Sequence, residues 1–381
     1  MHRRVAIAGV ALSDVGRVDD MTPYALNAQA ARRALSDAGL VPGDIDGFAS
    51  TGLGSLAPAD VAEYMGLAPR WLDSTSVGGG AWEVMAAHAA DAISAGHADV
   101  VLLAYGSTAR ADIKKKLRGA SLDWGTRGPR SWETPYGHTL ISKYAMAARR
   151  HMYEYGTTIE QMAEVAVAAR ANASLNPDAF YRDPITVDDV LAGPMIADPF
   201  TKLHCCIRSD GGAAAVLVAE DRIPDLPTPP VWILGTGEHT SHVSMSQWPD
   251  FTTGPAAVSG RMAFERAGIR PSDVDVAELY DAFTYMLLTT LEDLGFCPKG
   301  EGGRFVEGGR LLTTGELPTN TDGGGLSACH PGMRGLFLIV EAVRQLRGEC
   351  GDRQVPDARV ACVSGTGGWF CSSGTMILAR D

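Results

Sequence analysis

Three places along the chain carry residues suited to carbonyl chemistry, and two of them stand beside glycines. Tyr280-Asp281 follows the apolar run Val276-Ala277-Glu278-Leu279. His330 lies in Cys329-His330-Pro331-Gly332, shortly after the triplet Gly323-Gly324-Gly325, and Cys362 opens Cys362-Val363-Ser364-Gly365-Thr366-Gly367-Gly368. A phenol can donate to an oxyanion or pass a proton, an imidazole transfers protons near neutrality, and a cysteine thiolate is a nucleophile. Glycines let backbone amides approach a carbonyl oxygen, which makes Gly79, Gly324 and Gly367 candidates for oxyanion or turn positions. Each residue also has a packing explanation. Tyr280 can be a core tyrosine beside a helix-capping acid, His330 a structural histidine between proline and glycine, and Cys362, like Cys371, a small buried hydrophobe.

Other constellations point to less. His204-Cys205-Cys206 has no adjacent second ligand pair, so packing or substrate contact is expected there and no metal site. Gly52-Leu53-Gly54 lacks the rest of a dinucleotide fingerprint, and no glycine-lysine phosphate loop occurs, which disfavours NAD and ATP chemistry. Lys114, Lys115, Lys116 and Arg118 form the clearest basic run, with Arg127 and Arg130 following. They read either as a solvated face or as contacts to cofactor phosphates. The run is too short for an RNA surface, and no repeated stacking motif accompanies it.

These residues need a scaffold, and the 381-residue chain has the means to build one. It is 45% hydrophobic and 20% charged, the profile of a soluble globular protein. A formal net charge of -12 argues against a general nucleic-acid surface, so an anionic ligand needs its own basic pocket. Seven cysteines without a CxxC pair read as reduced thiols in a cytoplasmic protein. The opening MHRRVAIAGV soon gives way to Asp14, Arg17, Asp19 and Asp20, which predicts a buried first strand rather than a targeting segment. No apolar run is long enough to span a membrane.

The segment Ala38-Gly39-Leu40-Val41-Pro42-Gly43-Asp44-Ile45-Asp46 matches Ala267-Gly268-Ile269-Arg270-Pro271-Ser272-Asp273-Val274-Asp275 position for position in its small, proline and acidic residues. Both predict a helix that stops at a glycine, turns beside a proline and feeds a strand. Two related α/β halves follow from this, residues 1–223 and 224–381, with Pro224, Pro227, Pro229 and Pro230 at the boundary. Helices are expected over 81–95 and 336–345, and strands over 100–104, 213–218, 231–234 and 376–379. A helical and loop insertion, about residues 107–200, separates two strands of the first half and either caps a site or thickens a helical layer.

The duplicated halves, Tyr280-Asp281-Ala282-Phe283, the Gly323 to Gly335 segment with His330-Pro331, and the Cys362 loop together resemble the thiolase superfamily over nearly the whole chain. The branch they are most similar to is the sterol-carrier or lipid-transfer type, which includes aldolases acting on CoA esters of side-chain-degradation intermediates. The resemblance implies a five-layered αβαβα fold, a homodimer, and a CoA thioester as substrate with no tightly bound cofactor. It also implies a possible separate subunit with an OB-like, zinc-containing domain. Thiolases place a nucleophilic cysteine just before the first glycine turn. Here that place falls on Ser76 or Val77, within Asp73-Ser74-Thr75-Ser76-Val77-Gly78-Gly79-Gly80. His330 matches the family histidine, although Cys329 replaces the preceding glycine. Tyr280 stands where relatives carry asparagine or histidine, and Cys362 roughly matches the second catalytic cysteine. The expected activity is retro-aldol cleavage of a β-hydroxyacyl-CoA without an acyl-enzyme. The alternatives are a Claisen-type acyltransferase and a noncatalytic acyl-CoA-binding subunit.

Overall fold

The two matching segments adopt the same turn. In a computed structural model describing residues 3–54, 56–114, 129–137 and 139–380, Gly39 and Gly268 end their helices in the left-handed region, at φ 68° and 70°. The Asp44 and Asp273 carboxylates accept the backbone N–H groups of Val41 and Arg270, at 2.9 and 2.8 Å. Asp46 accepts N–H groups at the start of a neighbouring strand from Asp99 and Val100, and Asp275 does the same for Arg359 and Val360. Short polar side chains that satisfy backbone donors fix each corner, and the chain uses the device twice.

The first half comprises β1 (Val5–Leu12), α1 (Pro23–Ala38), β2 (Gly47–Ala49), α2 (Ala59–Tyr64), β3 (Trp71–Asp73), α3 (Ala81–Ser94) and β4 (Val100–Ser107). The insertion then supplies α4 (Ala109–Lys114), α5 (Leu140–Tyr155), α6 (Ile159–Ser174), α7 (Val187–Leu191) and the small pair β5 (Met195–Ala197) and β6 (Phe200–Thr201) before β7 (Gly211–Ala219). The second half runs β8 (Val231–Thr240), α8 (Ala256–Ala267), β9 (Val276–Leu279), α9 (Thr284–Asp293), α10 (Gly302–Phe305), α11 (Gly335–Arg347), β10 (Val360–Gly367) and β11 (Ser372–Ala379). Among the described residues the strands follow the order β3-β2-β4-β7-β1-β8-β11-β10-β9. The halves join where Ala6 and Ile7 pair with Trp232 and Val231.

Layering follows from which faces are apolar. Helix α1 covers the outside of the first half-sheet through Ala34, Leu35 and Ala38, against Phe48 and Val216. Helices α8 and α9 cover the outside of the second, where Phe264 and Leu291 meet Ala277 and Ile377. Between the half-sheets lie α3 and α11, each touching strands of both halves. A helix in that position needs apolar residues nearly all round, and α3 has them: Ala81, Trp82, Val84, Met85, Ala86, Ala87, Ala89 and Ile93 are all buried. Each large side chain among them contributes about 1.5–3 kcal/mol of burial. The product is the expected αβαβα stack, with the N-termini of α3 and α11 meeting beside the end of β9.

Candidate active site

Tyr280 is the first residue beyond β9, and its N–H donates to Ser364 O at 2.9 Å, which fixes it to β10. Its ring rests on the turn that starts α3. A Cβ on Gly79 would overlap that ring and stand 2.5 Å from the phenolic oxygen, so only glycine fits. Gly78 meets a second glycine segment in the same way, since a Cβ there would lie 2.8 Å from both Gly367 Cα and Gly368 N. Gly78–Gly80 and Gly365–Gly368 therefore stack backbone to backbone, and Tyr280 lies against this layer. Tyr144 of α5 pins the second segment by donating to Gly368 O at 2.8 Å.

His330 meets Tyr280 edge-on, with Oη 3.2 Å from Nε2 and the ring planes at 86°. The two side chains are 4% and 8% exposed, dry enough for burial to dominate their ionisation. Burial, helped by the charges of Arg334 and Arg208, pushes His330 down to about 4. Burial raises Tyr280 well above its ordinary value, with the Cys206 thiol and the Tyr105 phenol adding to the effect. At neutral pH the pair is a neutral phenol sharing a hydrogen bond with a neutral imidazole.

The loop carrying His330 is over-determined. Its N–H donates to Ser209 Oγ at 2.9 Å, and Tyr105 donates to Pro331 O at 2.7 Å while accepting from Met333 N at 3.2 Å. Arg334, fully buried, donates to both Asp322 oxygens at 2.5 and 2.6 Å and to Cys329 O at 2.8 Å. Its Nε lies 3.7 Å from Asp281. Asp281 in turn accepts the N–H groups of Gly325 and Leu326, at 2.7 and 3.2 Å. The acid beside Tyr280 thus anchors the Gly324–Ala328 turn that leads to His330, and does not cap α9.

Two expectations need correction. Cys362 does not join the site. Along β10 the side chains alternate, so Ala361 and Val363 face the central layer while Cys362 faces the outer one, packed with Ala277 and Ile377. Burial alone drives its thiol far up. Gly324 is a turn residue at φ 66°, but its N–H is committed to Asp322 Oδ1 at 2.8 Å and is no oxyanion donor. Gly79 and Gly367 do meet at the site, as close-approach positions. Lys114 ends α4, whereas Lys115, Lys116 and Arg118 lie outside the described residues.

Three thiols near this chemistry are poor nucleophiles. Burial pushes Cys205 and Cys206 to about 12 and Cys329 to about 11. Ser76 is exposed and Val77 packs on the central core, and no hydrogen bond ties Ser76 to a base among the described residues. Among those residues, no three His, Cys, Asp or Glu side chains group as a metal site, and no helix is long and apolar enough to cross a membrane.

Local sequence did not reveal Arg334, Asp322, Ser209 or Tyr105 as supports of the histidine loop. Tyr105 alone left a trace, as an aromatic residue ending the apolar run of β4. One consequence is direct. Gly79→Ala should displace the Tyr280 ring by about 1 Å and lower turnover on the order of 10²-fold, with secondary structure retained by circular dichroism. Turnover within threefold of wild type would show that the ring's place on this glycine layer is immaterial.

Residues 237–380 match the family model described as thiolase C-terminal domain-like. Over 373 residues the chain is 35% identical to a steroid side-chain-cleaving aldolase of Thermomonospora curvata, covering 95% of each protein. It is also 35% identical over 390 residues to an acetyl-CoA acetyltransferase of Methanothermobacter thermautotrophicus, covering 99% of this chain and 100% of that one. A solved Ltp2-ChsH2(DUF35) aldolase superposes with a TM-score of 0.89 at 33% identity, over 99% of this chain and 98% of that chain. The chain belongs to the thiolase superfamily, in its lipid-transfer-like branch. Within it, the chain is an aldolase- or lyase-type enzyme resembling the steroid side-chain-cleaving members.

Proposed function

We infer that the chain cleaves a β-hydroxyacyl-CoA by a retro-aldol reaction and forms no acyl-enzyme. The observation that carries this reading is the Tyr280–His330 hydrogen bond in a site where burial keeps the Cys205, Cys206 and Cys329 thiols protonated. The substrate's β-hydroxyl proton passes to the Tyr280 oxygen as the Tyr280 proton moves to His330 Nε2. The Cα–Cβ pair then flows toward the thioester carbonyl, so Cβ leaves as a ketone or aldehyde and Cα becomes part of an enolate. The proton returns from His330 through Tyr280 to Cα, which yields the shortened acyl-CoA. Protons and electrons balance without a nucleophile or an oxidant. The first turns of α3 and α11 converge near Gly79 and offer partial positive charge where the enolate oxygen develops.

The steroid ring system named for the relatives suits this chain as a substrate class, and a separate OB-fold, zinc-containing subunit suits it as a partner. A homodimer fits the edge position that β3 takes among the described strands, where Leu72 is 44% exposed. The setting is cytoplasmic, with the CoA thioester as substrate and no resident cofactor.

The test incubates the purified chain, with and without an OB-domain partner protein, with β-hydroxyacyl-CoAs and β-ketoacyl-CoAs. Release of a ketone or aldehyde plus a shorter acyl-CoA without added CoA is the expected result. Cleavage of β-ketoacyl-CoAs that requires free CoA would replace this reading with acyl transfer. Saturable binding without turnover under every condition would replace it with a scaffold role.

A further inference from the structure

Glu83 lies on the first turns of α3, and helical side chains lean toward the N-terminus, which carries this carboxyl back onto the glycine layer behind Tyr280. It is 1% exposed, and neither carboxyl oxygen has a hydrogen-bond partner among the described residues. Glycines from three elements make room for it. A Cβ on Gly335 of α11 would stand 2.6 Å from Glu83 Oε2 and 2.5 Å from Gly79 O, one on Gly365 of β10 2.5 Å from Glu83 Cδ, and one on Gly374 of β11 2.8 Å from Glu83 Cβ. Gly79 thus has this acid's chamber on one side and the Tyr280 ring on the other.

The charged and titratable groups on the elements packed against α3 are paired elsewhere or reach the surface. His88 of α3 itself pairs with Asp73 and Glu238, Arg334 with Asp322, Glu341 with Arg353, and Arg347 with Asp37. Tyr105 is bonded to Pro331 O, Cys362 faces the outer layer, and His239 and Arg344 are partly exposed. No cation compensates Glu83 among the described residues, and the ionisable group whose charge it opposes is Tyr280. Burial without compensation raises the acid to about 8.

We propose that Glu83 is a positioning residue for Tyr280: its neutral carboxyl fills the chamber behind the phenol without charge, and its ionisation stops the proton relay. This rests on the reading of Tyr280 as the proton-transferring group. A carboxylate behind Gly79 opposes negative charge on the phenolic oxygen and on the enolate, the species the reaction must pass through. The same acid ties stability to pH. Between its ordinary value of 4.5 and about 8 the folded chain holds a proton that the unfolded chain has lost, so stability declines as pH rises through that window and levels off above it.

The test compares the pH dependence of kcat in wild type, Glu83→Gln and Glu83→Met, the last filling the chamber without a hydrogen-bonding group. Wild-type kcat is expected to fall about tenfold between pH 7 and pH 9 as one group titrates near 8. Each variant's ratio of kcat at the two pH values should stay within twofold, whatever its absolute rate. An alkaline fall that persists in a folded variant would overturn the proposal. Infrared difference spectra of wild type against either variant give a readout independent of turnover. They should contain the C=O stretch of a protonated acid at pH 7 that converts to carboxylate bands by pH 9, and carboxylate bands already present at pH 7 would overturn it. If no substrate is cleaved, the lyase reading fails while the infrared titration still decides the state of Glu83.

Discussion

Tyr280→Phe should lower kcat for retro-aldol cleavage by about 10²–10⁴-fold and leave folding nearly intact, the range typical of losing a positioned acid or base. The change removes only the phenolic oxygen. The ring keeps its seat on Gly79, and the Tyr280 N–H bond to Ser364 O is a backbone contact that survives. What is lost is the phenolic oxygen, 3.2 Å from His330 Nε2. His330→Ala should cost a similar factor, because in this account neither group reaches its working protonation state without the other. Groups that act as a unit are strongly non-additive, so the double variant should be little worse than the poorer single one. Multiplicative losses would mean that the two side chains act independently.

The second large effect is on stability. Arg334→Met removes the cation between Asp322 and Asp281 and leaves two buried carboxylates facing each other. Removing one partner of a buried pair costs about 3–5 kcal/mol, since the other charge stays largely desolvated and unpaired. The loss falls on the loop that carries His330, because Arg334 also donates to Cys329 O. Denaturant unfolding should report a lower midpoint, and activity of the folded fraction should fall with it. Met is close to Arg in bulk, so a variant as stable as wild type would show that the ion network contributes nothing net.

Much of the scaffold was legible because it rests on local rules. The glycine-proline-aspartate corners, the apolar runs at 100–104 and 213–218, and the all-round apolar helix at 81–94 form structure for reasons contained in a few neighbouring residues. Tyr280 at a strand end and His330 after a glycine turn were readable in the same way, and the fold brings them together. What escaped depends on partners distant in sequence. Arg334 looks like any surface cation until Asp281 and Asp322 close on it, and Glu83 looks like an ordinary helix-surface acid until glycines of three other elements surround it. Cys362 failed for a different reason. A strand side chain changes faces with each residue, so one position separates the central layer from the outer one, and the local motif carries no sign of which.

The most direct test of nucleophile-free chemistry is the intact mass of the enzyme quenched during turnover. With a β-hydroxyacyl-CoA as substrate and no free CoA, ketone or aldehyde and shortened acyl-CoA are expected to accumulate together while the protein mass stays unmodified. A protein species heavier by one acyl group, formed and consumed at the rate of turnover, would contradict it.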